Sequence, residues 1–469
     1  MNPIHTSRTT ASRLANAWQR WRDRLHGQPA LEDLPRIAVA ADAIETLVDP
    51  IAFRETLLAL IAGARDRILL ASLYLQDDDA GREVLSALYA ARAANPALKV
   101  AVFVDWHRAQ RGLIGKAKSP GNAALYRDMA QRLGPGVSVY GVPVQRREFL
   151  GVLHLKGFVI DDKVLYSGAS LNDVYLQKHG RYRLDRYHLI RSRDLADCMA
   201  TVLKDTIGKS PAVCPLDKPT APRTSELRPA IINFRRTLAS ARYRYATSAP
   251  GANDIAITPL IGLGLRRNEL NVALLRLVQE ARQRLVLFTP YFNLPGPLAR
   301  ALRRKIKAGC HITIVLGDKT ANDFYIPPEE PFKTIGALPY LYEANLRRFC
   351  KAHQKAIDKG LLDVYLWKHD TNTFHLKGLL ADDDRALLTG NNLNPRAWRL
   401  DLENGLLIHD PNKLLICQHH EELERILSHA TRLKRYDAIE SVDSYPPKVQ
   451  RLIKRLARVR ADRLINQML

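Results

Sequence analysis

The sequence predicts an α/β protein built from two similar halves, each a mixed sheet with helices on both faces. Runs of apolar and β-branched residues alternate with helical patterns, and the series of elements in residues 36–209 recurs in residues 230–445. Because the recurring unit has the size of a domain, the repeat indicates two halves related by a pseudo-twofold axis and not a solenoid.

The elements of the first half follow from its apolar runs. The patterns predict a buried strand, a helix, a second strand, a second helix and a third strand at 67–75, 81–94, 100–106, 122–133 and 137–142. Three short strands then carry His154, Gly168 and the segment Tyr187–Ile190.

The second half repeats this order. The corresponding strand, helix, strand, long helix and strand are predicted at 284–291, 296–307, 311–316, 340–358 and 361–367. Strands that carry His375, Gly390 and the segment Leu406–Ile408 close the half.

Three segments lie outside the repeat. Residues 1–35 are polar and basic, which is typical of a mobile arm or a surface helix. Residues 210–229 contain Pro211, Pro215, Pro219 and Pro222, a composition that suits a linker. Residues 446–469 are expected to form a C-terminal helix that is both basic and amphipathic.

The C-terminal helix admits two interpretations. Apolar residues recur at helical spacing, and basic residues fill most of the other positions, including Lys448, Arg451, Lys454, Arg455 and Arg458. Such a helix suits the interface of an anionic membrane, where these five residues would bind. The same apolar stripe would also pack the helix on the body of the protein, and the two interpretations are compatible.

Composition narrows the partners and the location. The net charge of +23 calls for a polyanion, either nucleic acid or an anionic membrane surface. No apolar run reaches the ~18 residues of a spanning helix, and the five cysteines form no C-x-x-C pair. We therefore expect a cytoplasmic protein that associates peripherally with the inner face of the cytoplasmic membrane; the oligomeric state stays open.

A short pattern of reactive residues occurs twice. Residues 154–162 read HLKGFVIDD and residues 375–383 read HLKGLLADD, so both fit H-x-K-x-x-x-x-D. Each is followed by a G-x-x-x-N segment, at 168–172 and 390–394. One match could be chance, whereas two complete copies indicate two half-sites that face each other across one cleft.

These residue types suit chemistry at phosphorus. A neutral imidazole, His154 or His375, is a competent nucleophile, and the other histidine can protonate a leaving oxygen. Lys156 and Lys377 would hold the non-bridging oxygens of a phosphodiester. We expect Asn172 and Asn394 to donate further hydrogen bonds to the substrate, and we expect no metal ion or cofactor.

Four acids complete the predicted site. A nucleophilic histidine needs an acceptor at its other nitrogen, and Asp185 and Glu403 are candidates because they occupy parallel positions in the two halves. Asp161 and Asp382, the acids of the motif, are expected to orient the cleft through hydrogen bonds and salt bridges and not to transfer protons.

At these motifs the sequence resembles the phospholipase D superfamily. The resemblance implies two α/β/α sandwich halves with one active site at the pseudo-twofold axis and a covalent phosphohistidine intermediate. Segments 168–173, 187–190, 389–403 and 462–465 are similar to a Gram-negative bacterial branch of it. That branch transfers phosphatidyl groups from CDP-diacylglycerol to L-serine and releases CMP. It implies His154 as nucleophile, with His375 first as acid and then as base.

Other functions stay open at this point. Nucleases of the same superfamily use the same residue pairs, although the sequence contains no recognisable nucleic-acid-binding module. Cardiolipin synthase is a second alternative, and the lack of an apolar run long enough for a membrane span argues against it. A basic scaffold for ribosomes or membranes is a third, and two complete motifs argue against it. Association with ribosomes or nucleic acid through the basic charge also stays open.

Overall fold

The computed structural model describes residues 30–112 and 119–458. In the first half, the strands are β1 (Ile37–Ala40), β2 (Ile44–Thr46), β3 (Arg67–Ala71), β4 (Lys99–Asp105), β5 (Val137–Val142), β6 (Phe158–Ile160), β7 (Lys163–Ser167), β8 (Arg183–Leu184), β9 (Tyr187–Arg191) and β10 (Cys214–Pro215). The helices are α1 (Pro50–Ala62), α2 (Asp79–Ala94), α3 (Trp106–Ala109), α4 (Ala123–Leu133) and α5 (Arg193–Thr201).

The second half contains a matching set. Its strands are β11 (Asp254–Leu263), β12 (Arg284–Phe288), β13 (His311–Gly317), β14 (Leu362–Trp367), β15 (Thr373–Phe374), β16 (Gly378–Ala381), β17 (Arg385–Thr389), β18 (Leu402–His409) and β19 (Ala430–Arg432). Its helices are α6 (Arg228–Ala239), α7 (Glu269–Glu280), α8 (Gly296–Lys307), α9 (Leu338–Ala352), α10 (Gln354–Asp358), α11 (Pro395–Arg399), α12 (Ile416–Leu427) and α13 (Pro447–Arg458).

The two large sheets have the same strand order. The first runs β10-β5-β4-β3-β6-β7-β9-β2, and the second runs β19-β14-β13-β12-β16-β17-β18-β11-β1. In both, the first three strands of the repeat are parallel and their neighbours are antiparallel. The mixed sheets and the internal repeat expected from the sequence are therefore present.

Alternation along the strands explains how the halves join. In β12, Leu285 and Leu287 point into a core formed with α7 and α8, whereas Val286 and Phe288 point into the core shared with the first half. The second sheet is thus apolar on both faces, and the inner face binds the first half. This contact holds the two half-sites in a fixed relation.

The observed elements and segments differ from those predicted from the sequence in four places. β1 pairs with β11 of the second half, although residues 36–40 had been assigned to the first. Residues 214–215 of the linker form an edge strand on β5. The long helix expected at 340–358 is broken at His353, whose backbone leaves the helical region. Residues 1–29 of the arm lie outside the described residues, and Leu31 is buried in the core of the second half.

The C-terminal helix packs on the body of the protein. Val449 and Ile453 are buried in a small cluster with Tyr340 and Tyr445. The opposite face is exposed and carries four of the predicted membrane-binding residues, Lys448, Arg451, Lys454 and Arg455. The side chain of Arg458 and residues 459–469 lie outside the described residues. The packing interpretation therefore holds for the described part of the stripe, which leaves only the basic face free for a partner.

Candidate active site

Each motif histidine lies on an extended segment that pairs with the opposite half. The N–H of His375, directly after β15, donates to the carbonyl of Leu184 at 2.8 Å. The N–H of His154 donates to the carbonyl of Leu402 at 2.9 Å. The sequence placed both histidines on strands of their own sheets, and the structure instead pairs them across the pseudo-twofold axis. Each histidine is therefore next to the acid of the other half.

His154 is held by Glu403. Its Nδ1 lies 2.9 and 3.0 Å from the two carboxyl oxygens of Glu403, and both side chains are buried. Burial raises the pKa of Glu403 well above its usual value, and Asp401 adds to the effect. This contact fixes the imidazole ring and turns Nε2 away from the acid.

His375 has a more crowded Nδ1. The hydroxyl of Tyr175 lies 2.7 Å from it, and Lys377 Nζ is also in contact. The nearer oxygen of Asp185 is 3.4 Å away, because that carboxylate accepts from Lys377 at 2.7 Å. Burial alone would raise the pKa of Asp185, but Lys377 and His375 lower it below its usual value. Asp185 thus anchors the lysine more closely than the histidine.

The two motif glycines make room for the lysine of the opposite half. A Cβ on Gly390 would lie 2.5 Å from Cγ of Lys156, and a Cβ on Gly168 would lie 2.9 Å from Nζ of Lys377. Both lysine side chains are buried. The glycine is therefore required for close approach across the axis, and not for a turn.

Burial sets the charge state of the site. It lowers the pKa of His154 well below the usual value, with Lys156 and Lys377 adding to the effect. Burial and Lys377 lower the pKa of His375 to about 4 and that of Lys156 to about 7. Both histidines are therefore neutral near pH 7, as a nucleophile requires, and a bound phosphate would favour the protonated form that the other histidine needs to act as an acid.

The two predicted substrate-binding asparagines are both buried. The Oδ1 of Asn172 accepts from Tyr175 N at 3.0 Å, and the Oδ1 of Asn394 accepts from Ala397 N at 2.9 Å. Asn394 is thereby the N-cap of α11. Their oxygens hold the local turns, so the amide nitrogen is the end suited to a phosphate oxygen, although Nδ2 of Asn172 also lies 3.4 Å from Gln76 Oε1.

Asp161 and Asp382, the motif acids counted with the catalytic residues and expected to orient the cleft, lie away from the histidines, which corrects that expectation. Asp161 accepts three backbone N–H bonds from residues 65–67, and Asp382 does the same for residues 282–284. These N–H groups precede β3 and β12, at the ends of the strands opposite the histidines. Both acids have positive φ, 52° and 54°. They hold a turn in each sheet and do not line the cleft.

Several residues near His375 escaped the sequence analysis. They are Tyr175, Tyr291, Arg183 and Asp323, and the Tyr291 ring centroid lies 5.9 Å from that of His375. Their side chains come from four separate segments of both halves, so no local spacing could have revealed them.

Comparison with known proteins finds relatives that match nearly the whole chain. Residues 274–427 match the family model described as "Cardiolipin synthase, PLD-like domain". The chain is 51% identical to the CDP-diacylglycerol–serine O-phosphatidyltransferase of Escherichia coli (strain K12) over 94% of this chain and 98% of that protein. It is 46% identical to the same enzyme of Haemophilus influenzae, over 94% and 97%.

A solved structure has the same fold as this chain. The crystal structure of phosphatidylserine synthase from Haemophilus influenzae matches with a TM-score of 0.90 and 44% identity, over 95% of this chain and 99% of that one. The phospholipase-D-type fold predicted from the sequence is confirmed. No helix in the described residues is long and apolar enough to cross a membrane. The chain belongs to the CDP-diacylglycerol–serine O-phosphatidyltransferase family, within the phospholipase D superfamily.

Proposed function

We propose that this chain transfers the phosphatidyl group of CDP-diacylglycerol to L-serine and releases CMP and phosphatidylserine. The observation that carries the proposal is the pair of buried histidines, each held by residues of the opposite half. Relatives that match this chain over nearly its full length are named CDP-diacylglycerol–serine O-phosphatidyltransferase. Two buried lysines supply positive charge for the phosphate oxygens.

The contacts support a division of labour between the histidines. Nε2 of His154 attacks the phosphorus bonded to the diacylglycerol, and the P–O bond to CMP breaks as His375 donates a proton to the leaving oxygen. Serine Oγ then attacks the phosphatidyl-histidine, its proton passes to His375, and the P–N bond breaks. His154 suits the nucleophilic role because Glu403 accepts or shares the Nδ1 proton throughout.

The proposal is tested by incubating the purified protein with CDP-diacylglycerol and labelled serine, with and without EDTA. We expect equal amounts of phosphatidylserine and CMP, and full activity with the chelator, because lysines and histidines do the work of a metal ion. His154→Ala is the inactive control. Product from water or glycerol at the same rate as from serine would contradict the proposed acceptor. A strict need for a divalent cation would contradict the mechanism.

We also propose that the exposed face of α13 binds the anionic inner surface of the cytoplasmic membrane. The lipid substrate requires contact with a bilayer, and Lys448, Arg451 and Arg455 are exposed side by side on α13. Each basic residue near an anionic surface contributes about 1 kcal/mol, so three contribute enough to measure.

The variant Lys448→Gln/Arg451→Gln/Arg455→Gln should sediment less with phosphatidylglycerol vesicles and keep its turnover in detergent micelles. Neutral phosphatidylcholine vesicles are the control. Unchanged sedimentation would exclude this face as the docking site. Loss of vesicle binding when RNA is added would favour a nucleic-acid partner instead.

A further inference from the structure

A partly buried ion pair from opposite halves lies beside His375. Arg183 Nη1 lies 3.3 Å from Asp323 Oδ2, and their side chains are 16% and 13% exposed. The hydroxyl of Tyr291 donates to the same Oδ2 at 3.1 Å, and Arg183 Nε donates to Thr373 Oγ1 at 3.2 Å. Thr373 is two residues before His375, so the pair is fixed to the segment that carries this histidine.

The pair has unused hydrogen-bonding capacity. Asp323 Oδ1 is buried and has no partner among the described residues. Within residues 30–112 and 119–458, Nη2 of Arg183 likewise forms no hydrogen bond or ion pair. A buried charged oxygen without a donor is costly, since its lost hydration is not replaced. The site is therefore complementary to a ligand that brings both a donor for Asp323 and an acceptor for Arg183.

Aromatic rings enclose this position. Arg183 Cζ lies 4.9 Å from the ring centroid of Tyr175, whose hydroxyl contacts His375. On the other side, the ring of Tyr291 stacks on Tyr342 at 5.3 Å and meets His375 edge to face. Rings of this kind exclude water, which strengthens charge–charge recognition between them.

We infer that Asp323 and Arg183 bind the α-ammonium and the α-carboxylate of the acceptor serine, and so select a zwitterion over water or a neutral alcohol. The inference rests on the proposed function, which supplies the acceptor. A neutral alcohol would leave both protein charges without new partners, so it gains little on binding. The serine hydroxyl would then point toward His375, which takes its proton.

Three acceptors separate the two contacts. Serine carries both charges, serinol lacks the carboxylate, and 3-hydroxypropionate lacks the ammonium. For Asp323→Asn we expect kcat/KM for serine to fall about 10- to 100-fold, the loss of one charge-assisted hydrogen bond. The preference for serine over 3-hydroxypropionate should fall with it, while the ratio of serine to serinol rates changes little. For Arg183→Gln the pattern should be reversed.

The controls isolate the acceptor step. Exchange of labelled CMP into CDP-diacylglycerol needs no acceptor, so in Asp323→Asn it should fall by a clearly smaller factor than serine transfer does. Asp363→Asn is the matched variant. Asp363 is also 13% exposed and paired with Arg432, but it lies on β14 with His311 as its neighbour. This variant should leave every ratio unchanged.

Several outcomes would overturn the inference. One is equal loss of exchange and serine transfer in Asp323→Asn, which would make the pair a support for His375. Another is a uniform change for all three acceptors, or the same change in Asp363→Asn. If Asp323→Asn does not fold, Asp323→Glu keeps the charge. In Asp323→Glu, kcat/KM for serine should fall, and the enzyme should still discriminate against 3-hydroxypropionate. Loss of that discrimination would contradict the inference. Exchange without serine transfer in the unaltered protein would instead refute the proposed function.

Discussion

The two half-sites share a motif and a strand order, yet they surround their histidines differently. Both carboxyl oxygens of Glu403 lie within 3.0 Å of His154 Nδ1. At His375 the same position is occupied by Tyr175 and Lys377, while Asp185 stands at 3.4 Å. The first arrangement resembles an oriented nucleophile, and the second resembles a proton carrier whose charge is adjusted by neighbours.

This difference shows that the motif alone does not set the role of a histidine. The residues that distinguish the two histidines come mainly from the opposite half. Glu403 contacts His154, and Tyr175 and Asp185 contact His375, where Asp185 also binds Lys377 of the histidine's own motif. Duplication supplied two equal imidazoles, and the partners across the axis made them unequal. The comparison can be tested by altering those partners.

The largest effect is expected for Glu403→Gln. An amide at this position can hold His154 in the wrong tautomer, for which a loss of about 10³- to 10⁴-fold is typical. Asp185→Asn should cost only about 10- to 100-fold, as for an outer partner, because Tyr175 still contacts His375. Rates of CMP exchange measure both, with circular dichroism as a check of folding. Equal losses would mean that the two acids have the same role.

The glycines should differ in the cost of an added methyl group. In Gly168→Ala the Cβ would lie 2.6 and 2.7 Å from the oxygens of Asp185, which is buried and ion-paired. In Gly390→Ala it would meet the flexible stem of Lys156. We expect the free energy of unfolding to fall by about 2–3 kcal/mol for Gly168→Ala and by about 1 kcal/mol for Gly390→Ala.

Urea unfolding measures these changes in stability. Gly63→Ala is the control, since its Cβ would make an ordinary 3.4 Å contact at the end of α1. If Gly390→Ala proves the more damaging variant, the stem of Lys156 is held more rigidly than its contacts suggest.

The smallest effect concerns pH. Burial and Lys377 lower the pKa of Lys156 to about 7, so the charge of this lysine is lost as the pH rises through that value. The affinity for a short-chain CDP-diacylglycerol should therefore decline above pH 7, by at most about tenfold per pH unit for one proton. The pKa of His375, about 4, lies outside this window.

Isothermal titration between pH 6 and 9 would show the decline. Lys156→Arg is the matched variant because an arginine stays charged throughout. Its affinity should be flat over the same range. A decline that persists in Lys156→Arg would assign the titration to another group.

Much of the fold and of the candidate site could be predicted from the sequence, because both depend on local patterns of residues. Runs of apolar and β-branched residues predicted the strands, and the repeated H-x-K pattern predicted the two histidines and two lysines that the structure brings together. The two orienting acids were found from their parallel positions, but their pairing was not, since Glu403 is 249 residues from His154. Asp323 and Tyr175 are placed by tertiary contacts alone. The location of Asp161 and Asp382 was predicted wrongly because an aspartate can hold a turn as readily as it can line a catalytic cleft.

The proposed mechanism requires His154 to bear the phosphatidyl group, and quenched-reaction mass spectrometry tests this directly. With His375→Ala only proton transfer is lost, a factor of about 10²–10⁴, so an adduct should form slowly on the peptide that contains His154 and then persist. His154→Ala should form no adduct. A phosphatidyl group on His375 in the His154→Ala protein, with none on His154 in the converse variant, would contradict the account.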